Sequence, residues 1–182
     1  ENRWEQKEIL NNGFRPITSE KIGILGVGNI GRSIAEFFKR NGCDVIGCDK
    51  IIDQANTTID QWFKINELNE FLKVVNVLII ALPLNEETKS LIGINELIIL
   101  GSKKYIINIS RGEIINEKDL VRALRSDIIG GAVLDVFAKE PLSSNSPFYK
   151  LNNVIITPHI AGNINLFVSE IQHDFIQKAI NF

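Results

Sequence analysis

The chain has 182 residues, 45% of them hydrophobic and 23% charged, with a formal net charge of −2. That length and balance suit a single domain with one good core, and a small charge spread along the chain gives neither nucleic acid nor an anionic membrane a basic surface to follow. No apolar stretch reaches the roughly 18 to 20 residues a bilayer requires, and residues 1–10 carry the charges of a surface helix rather than a signal peptide, so the expected setting is cytoplasmic. Cys43 and Cys48 lie in an apolar stretch and read as reduced packing residues, neither ligands nor a disulfide, and no metal is expected. There is no methionine, even at position 1, so the chain reads as a piece of something longer.

In chain order, residues 1–18 read as an N-terminal arm. Its Trp4, Ile9, Leu10 and Phe14 would pack either on the rest of the chain or against a second copy. Residues 19–162 then alternate short β-rich runs with helical patterns, the signature of βαβ units and a parallel sheet. Strands are expected at residues 21–25, 44–48, 77–81, 105–109, 131–134 and 154–157, mostly continuous apolar runs of the kind covered on both faces. Ile30, Ile34, Phe37 and Phe38 recur at helical spacing between the first two, and Asn41-Gly42 supplies the exit. Asn116 is placed to cap a helix running through Arg125, with Leu120, Val121 and Leu124 inward and Asp119 near its positive end. Residues 163–182 put Ile164, Phe167, Val168, Ile171, Phe175 and Ala179 on one stripe, an amphipathic C-terminal helix, with His173 on its polar side. The expected fold is α/β: a doubly wound, Rossmann-like parallel sheet of six or seven strands in a three-layer α/β/α sandwich, with its ligand at the carboxyl ends of the strands.

The first chemical signal is Gly26-Val27-Gly28-Asn29-Ile30-Gly31, directly after the first strand and opening the first helix. Gly26 permits a tight turn, Gly28 lets backbone approach a pyrophosphate, and Gly31 lets helix and strand pack closely, with the helix N-terminus facing the anion. Asp49 closes the next strand, where a carboxylate accepts hydrogen bonds from an adenosine ribose and repels a 2′-phosphate, which favours NAD over NADP. Lys50 follows and would soften that discrimination. A glycine turn beside a surface Asp is the bland alternative.

Four more blocks make a resemblance specific. They are Ala81-Leu82-Pro83-Leu84-Asn85-Glu86-Glu87-Thr88; Asn108-Ile109-Ser110-Arg111-Gly112; Gly131-Ala132-Val133-Leu134-Asp135-Val136-Phe137 with Glu140-Pro141; and Thr157-Pro158-His159-Ile160-Ala161-Gly162. In order and spacing, from about Trp4 to at least Gly162, the chain resembles the NAD-binding domain of the D-isomer-specific 2-hydroxyacid dehydrogenase family. The resemblance implies a separate substrate domain that this chain lacks, and a homodimer formed through this one.

It also implies roles. Arg111 would hold a 2-keto acid carboxylate and polarise the keto oxygen, a task its planar fork suits. His159 would be the acid and base at the carbonyl oxygen, with Glu140 orienting the ring and favouring its protonated form. Taken singly, these could be a surface salt bridge, a strand cap and a solvated loop residue. Asp135 resembles a nicotinamide carboxamide contact, with a structural hydrogen bond to neighbouring loops as the alternative. Leu82, Pro83, Thr88, Ile109 and Ser110 resemble positions lining the adenosine and nicotinamide ribose side, alongside Asn29, Ile30, Arg111, His159 and Gly162. After Gly162 the sequence reads Asn163-Ile164-Asn165-Leu166-Phe167 where many relatives are more polar, a departure that leaves the end of the domain open. The implied activity of the intact protein is reversible NAD-dependent reduction of a 2-keto acid. The rivals are a non-catalytic NAD-sensing or partner-binding module, for which Arg111, Glu140 and His159 are not needed, and a related dehydrogenase acting on a formyl or phosphorus oxyanion substrate.

Overall fold

The structure is a computed structural model that describes residues 16–162. The arm and final helix expected at the two ends lie outside the described residues. Among the described residues, seven strands form one sheet: β1 Lys21–Leu25, β2 Asp44–Asp49, β3 Gln61–Lys64, β4 Val77–Ile80, β5 Tyr105–Asn108, β6 Gly131–Leu134 and β7 Val154–Ile156. Every pairing is parallel and the order is β3-β2-β1-β4-β5-β6-β7. The order reverses between β1 and β4, the switch point where an open α/β sheet binds its ligand.

Four helices connect the strands: α1 Asn29–Arg40, α2 Leu68–Val74, α3 Ile94–Leu100 and α4 Glu117–Arg125. β1 shows how side-chain alternation divides the core. Ile22 and Ile24 face the α1 side with Ala35, Val45 and Ile79, while Leu25 faces the larger cluster under α2, α3 and α4. Each fully buried Ile or Leu of this kind contributes about 1.5–3 kcal/mol. Gly23 also faces α2, where a Cβ would stand 2.5 Å from a Val75 methyl; only glycine lets that helix come so close.

The boundaries differ from the sequence expectation by a residue or so: α1 begins at Asn29, β2 reaches Asp49, and Ala81, Ile109 and Thr157 lie just past their strands. β3 was not among the six expected runs. One aspect of α1 also departs from expectation. Its inward side is Gly31, Ile34, Ala35 and Phe38, whereas Ile30 and Phe37 are more than half exposed, because the close approach at Gly31 rotates the helix so that its smallest residues meet the sheet. α1 ends as expected at Asn41-Gly42, Gly42 taking φ +82° and Asn41 Nδ2 donating to the Phe37 carbonyl at 2.7 Å. Asn116 caps α4 by accepting from the Lys118 and Asp119 amides, and Asp119 also receives the Ile94 amide, tying α4 to the start of α3. Cys43 and Cys48 are free and buried, and burial, with lesser help from Asp49 and Glu67, pushes the Cys48 thiol up to about 12. Such a thiol is packing, not a nucleophile.

Candidate active site

The turn after β1 has the shape of an anion cradle. Gly26 has φ +96° and a Cβ there would overlap the Leu82 backbone at 2.7 Å; at Gly31 a Cβ would fall 2.0 Å from the Gly26 carbonyl oxygen. Both glycines are therefore required by the backbone itself. Gly28 differs, since a Cβ there would meet nothing within 4 Å. Its exposed face opens on a cleft of about 440 Å³ lined by Gly28, Asn29, Ile30, Ala81, Leu82, Pro83, Leu84, Ile109, Ser110 and Arg111. A glycine with free space at the positive end of a 12-residue helix fits a pyrophosphate, so these residues suit a dinucleotide.

Asp49 braces the cradle. Its Oδ2 accepts the Val27 amide at 2.7 Å and its Oδ1 the Ile51 amide at 3.3 Å, which fixes the carboxylate at the end of β2 beside the turn. Thr88 stands behind the cleft wall rather than on it: it is 5% exposed, its hydroxyl donates to the Pro83 carbonyl at 2.7 Å and receives the Asn85 amide at 2.8 Å. These bonds make Thr88 a clamp that shapes the Leu82-Pro83 wall. Ser110 Oγ donates to the Leu82 carbonyl and joins the β4 and β5 loops. Gly162, also expected to touch cofactor, is exposed at the end of the described residues and lines neither hollow.

Arg111 is carried by a loop whose frame is Asn108, the last residue of β5 and 1% exposed. Asn108 Oδ1 accepts the Ser110 amide at 3.1 Å and its Nδ2 donates to the Arg111 carbonyl at 2.9 Å. Arg111 Nη1 donates to the Ser110 carbonyl at 2.7 Å, leaving most of the guanidinium fork exposed at the cleft. The next residue, Gly112, packs directly on the neighbouring loop: a Cβ would lie 2.0 Å from the Phe137 carbonyl carbon. That contact sets Arg111 beside the segment carrying Glu140.

Glu140 and His159 meet. His159 Nδ1 and Glu140 Oε2 are 2.7 Å apart, and Glu140 Oε1 accepts the Phe137 amide at 2.9 Å. These bonds, His159 first, hold the Glu140 carboxyl below its usual range, and the Arg111 charge adds to the effect. His159 takes φ +55°, a left-handed turn that costs a non-glycine residue roughly 1–2 kcal/mol. Asp135 stabilises that turn. It is 3% exposed; its backbone carbonyl receives the His159 amide at 2.8 Å, while its carboxylate receives the Ile160 and Ala161 amides at 3.0 Å each and the Thr157 hydroxyl. Burial would raise the Asp135 pKa, but the Thr157 hydroxyl, the two amides and the His159 charge outweigh it and hold the carboxyl below its usual value. Asp135 therefore takes up the structural hydrogen bonding that the sequence left as its alternative role. The dyad borders a second, more apolar hollow of about 550 Å³, lined in part by Phe137, Leu142, Tyr149 and Ile156.

The carboxyl edge of the sheet thus collects Asp49, Arg111, Glu140 and His159, with Arg111 in the first hollow and the dyad on the second. Sequence reasoning passed over Asn108 and Thr157 as positioning residues. A polar side chain closing an apolar strand is the signal that marks Asn108.

The family described as "D-isomer specific 2-hydroxyacid dehydrogenase, NAD binding domain" matches residues 1–161. A glyoxylate reductase from Aeropyrum pernix is 34% identical over 88% of this chain and 50% of its own length. A D-3-phosphoglycerate dehydrogenase from Synechocystis is 34% identical over 90% of this chain and 28% of its own length. The crystal structure of a D-isomer specific 2-hydroxyacid dehydrogenase from Xanthobacter autotrophicus Py2, in complex with NADPH and MES, superposes with a TM-score of 0.81 at 29% identity, covering 97% of this chain and 76% of that one. The chain spans half or less of the length of these two curated relatives.

Proposed function

The chain belongs to the D-isomer specific 2-hydroxyacid dehydrogenase family, whose NAD binding domain it matches, and on that premise we propose that the whole protein reversibly converts a 2-keto acid to a 2-hydroxy acid with NAD. This chain supplies the cofactor cleft and three catalytic residues, while a substrate domain outside it supplies the rest. The observation that carries the proposal is the 2.7 Å contact between His159 and Glu140, anchored at the same sheet edge as Arg111. A module that only senses NAD needs no such dyad.

When bound, the nicotinamide supplies the hydride for reduction and takes it up in oxidation. Gly28, Asn29 and Ile30 hold the pyrophosphate at the helix N-terminus, and Asp49 accepts the adenosine ribose hydroxyls. Arg111 binds the substrate carboxylate with its free donors and polarises the keto oxygen. His159 holds a proton on the ring nitrogen remote from Glu140 and delivers it to that oxygen; in the other direction it receives the hydroxyl proton. Glu140 fixes the ring so that this nitrogen points outward. Two buried free thiols suit a cytoplasmic setting, and the exposed Ile30 and Phe37, which share an apolar patch with Ile109 and Ala161, suit a homodimer.

A panel of 2-keto acids offered with NADH to the whole protein tests the reading. Turnover of at least one member is expected. NADH binding without turnover of any would replace the enzyme with the sensing module.

A further inference from the structure

Among the described residues, Lys50, which follows Asp49, and Arg32, which shares Val27 with it, are each already matched by an acid. Lys50, the residue after Asp49, pairs with Glu87 on the loop that follows β4, so the contact joins two loops separated by 37 residues of sequence. Arg32 Nη2 lies 3.0 Å from Asp53 Oδ2, while its Nε donates to the carbonyl of Val27, the residue whose amide Asp49 accepts. Glu87 is aimed from a fixed turn: its amide donates to Asn85 Oδ1 at 2.9 Å, the Thr88 amide donates to the same oxygen at 3.0 Å, and Thr88 pins the turn to Pro83. Exposed ion pairs add little to stability. Their charges matter more to a ligand that brings a dianion to the same place, and an NADPH-bound relative shows that this fold admits one.

We propose that Glu87, with Asp53 as its counterpart, is a cofactor-specificity residue: by engaging Lys50 and Arg32 the two acids leave the adenosine 2′ position with Asp49 and, among the described residues near it, no unengaged cation, so that NADP is refused. Asp49 alone would repel a 2′-phosphate, but an unengaged Lys50 next to it would compensate. The acids complete the exclusion by occupying the compensating charges. This rests on the NAD-binding reading above, and the test separates the two.

NADH and NADPH are titrated calorimetrically into the wild-type whole protein, Glu87→Gln, Asp53→Asn, the double variant, and Glu87→Gln combined with Lys50→Gln. The neighbouring Glu86→Gln is the control, since it removes the same charge and leaves the Lys50 pair in place. Glu87→Gln should tighten NADPH about tenfold with NADH changed less than about threefold, the double variant should gain further, and both gains should shrink as salt rises. Adding Lys50→Gln should cancel the gain from Glu87→Gln. The proposal is overturned if Glu87→Gln and the double variant bind NADPH no better than Glu86→Gln does, or if the gain survives loss of Lys50. A wild-type protein that binds neither cofactor overturns the NAD-binding reading instead.

Discussion

Gly28 and Gly31 stand three residues apart in one turn, yet adding a methyl group to each should have opposite consequences. In Gly31→Ala the new carbon would sit 2.0 Å from the Gly26 carbonyl oxygen, 3.0 Å from its carbon and 3.2 Å from an Ile24 methyl, against ordinary contact beginning at 3.4 Å. The first obstacle is backbone, so α1 and the β1 turn must part by roughly 1.4 Å. Overpacking of this kind costs about 3 kcal/mol or somewhat more, and alanine returns about 1 kcal/mol of helix propensity. The net loss of about 2 kcal/mol corresponds to a fall in Tm of about 4–8 °C for a chain this size. Gly28 has φ −76° and open space, so Gly28→Ala should cost only about 0.5–1 kcal/mol as a weaker cap, less than Gly31→Ala. Its methyl would instead stand in the cleft where the pyrophosphate approaches, and NADH affinity should fall by about tenfold or more. Thermal melts and NADH titration on the two variants decide the matter. The reasoning is refuted if Gly31→Ala melts with the wild type, or if Gly28→Ala melts with Gly31→Ala while binding NADH normally.

Gly112→Ala would drive a Cβ to within 2.0 Å of the Phe137 backbone and prise the Arg111 loop from the Glu140 loop; turnover of the whole protein should fall at least about tenfold, with a Tm loss comparable to that of Gly31→Ala. Steady-state kinetics beside a melt checks both. Asp135→Asn replaces an acceptor of three hydrogen bonds with a group that can serve only part of them, costing about 1–3 kcal/mol and loosening His159, as melts and turnover would register. That loss has a predictable pH dependence. The Asp135 pKa is lowered in the folded state, so its contribution is full above the ordinary value of 3.8 and is lost as pH falls through the lowered folded value. The Tm gap between wild type and Asp135→Asn should accordingly hold at neutral pH and close in acid; a gap that widens on acidification would contradict the assignment.

How much of this was legible in the sequence follows from what each residue depends on. Gly26, Gly28 and Gly31 carry their meaning in their spacing, because strand, turn and helix are local, and the apolar runs of β1, β4 and β5 mark strands buried on both faces. The meeting of His159 with Glu140 was implied only by the family resemblance; 19 residues and a left-handed turn separate them. β3 escaped because Gln61–Lys64 is a four-residue edge strand with both ends exposed and no periodicity to show. The outward turn of Ile30 and Phe37 escaped because helical spacing gives a stripe but not which part of it meets the sheet; the Gly31 contact decides that. Thr88 was expected on the cleft, and only its paired hydrogen bonds to Pro83 and Asn85 place it behind the wall.

The proton-transfer role of His159 is the claim on which the enzyme reading turns. Single-turnover oxidation of bound NADH by an accepted 2-keto acid, in the whole protein and its His159→Ala variant, tests it most directly. With NADH affinity unchanged, the variant should react about 10²- to 10⁴-fold more slowly; a rate within about tenfold of wild type would show that the proton comes from elsewhere.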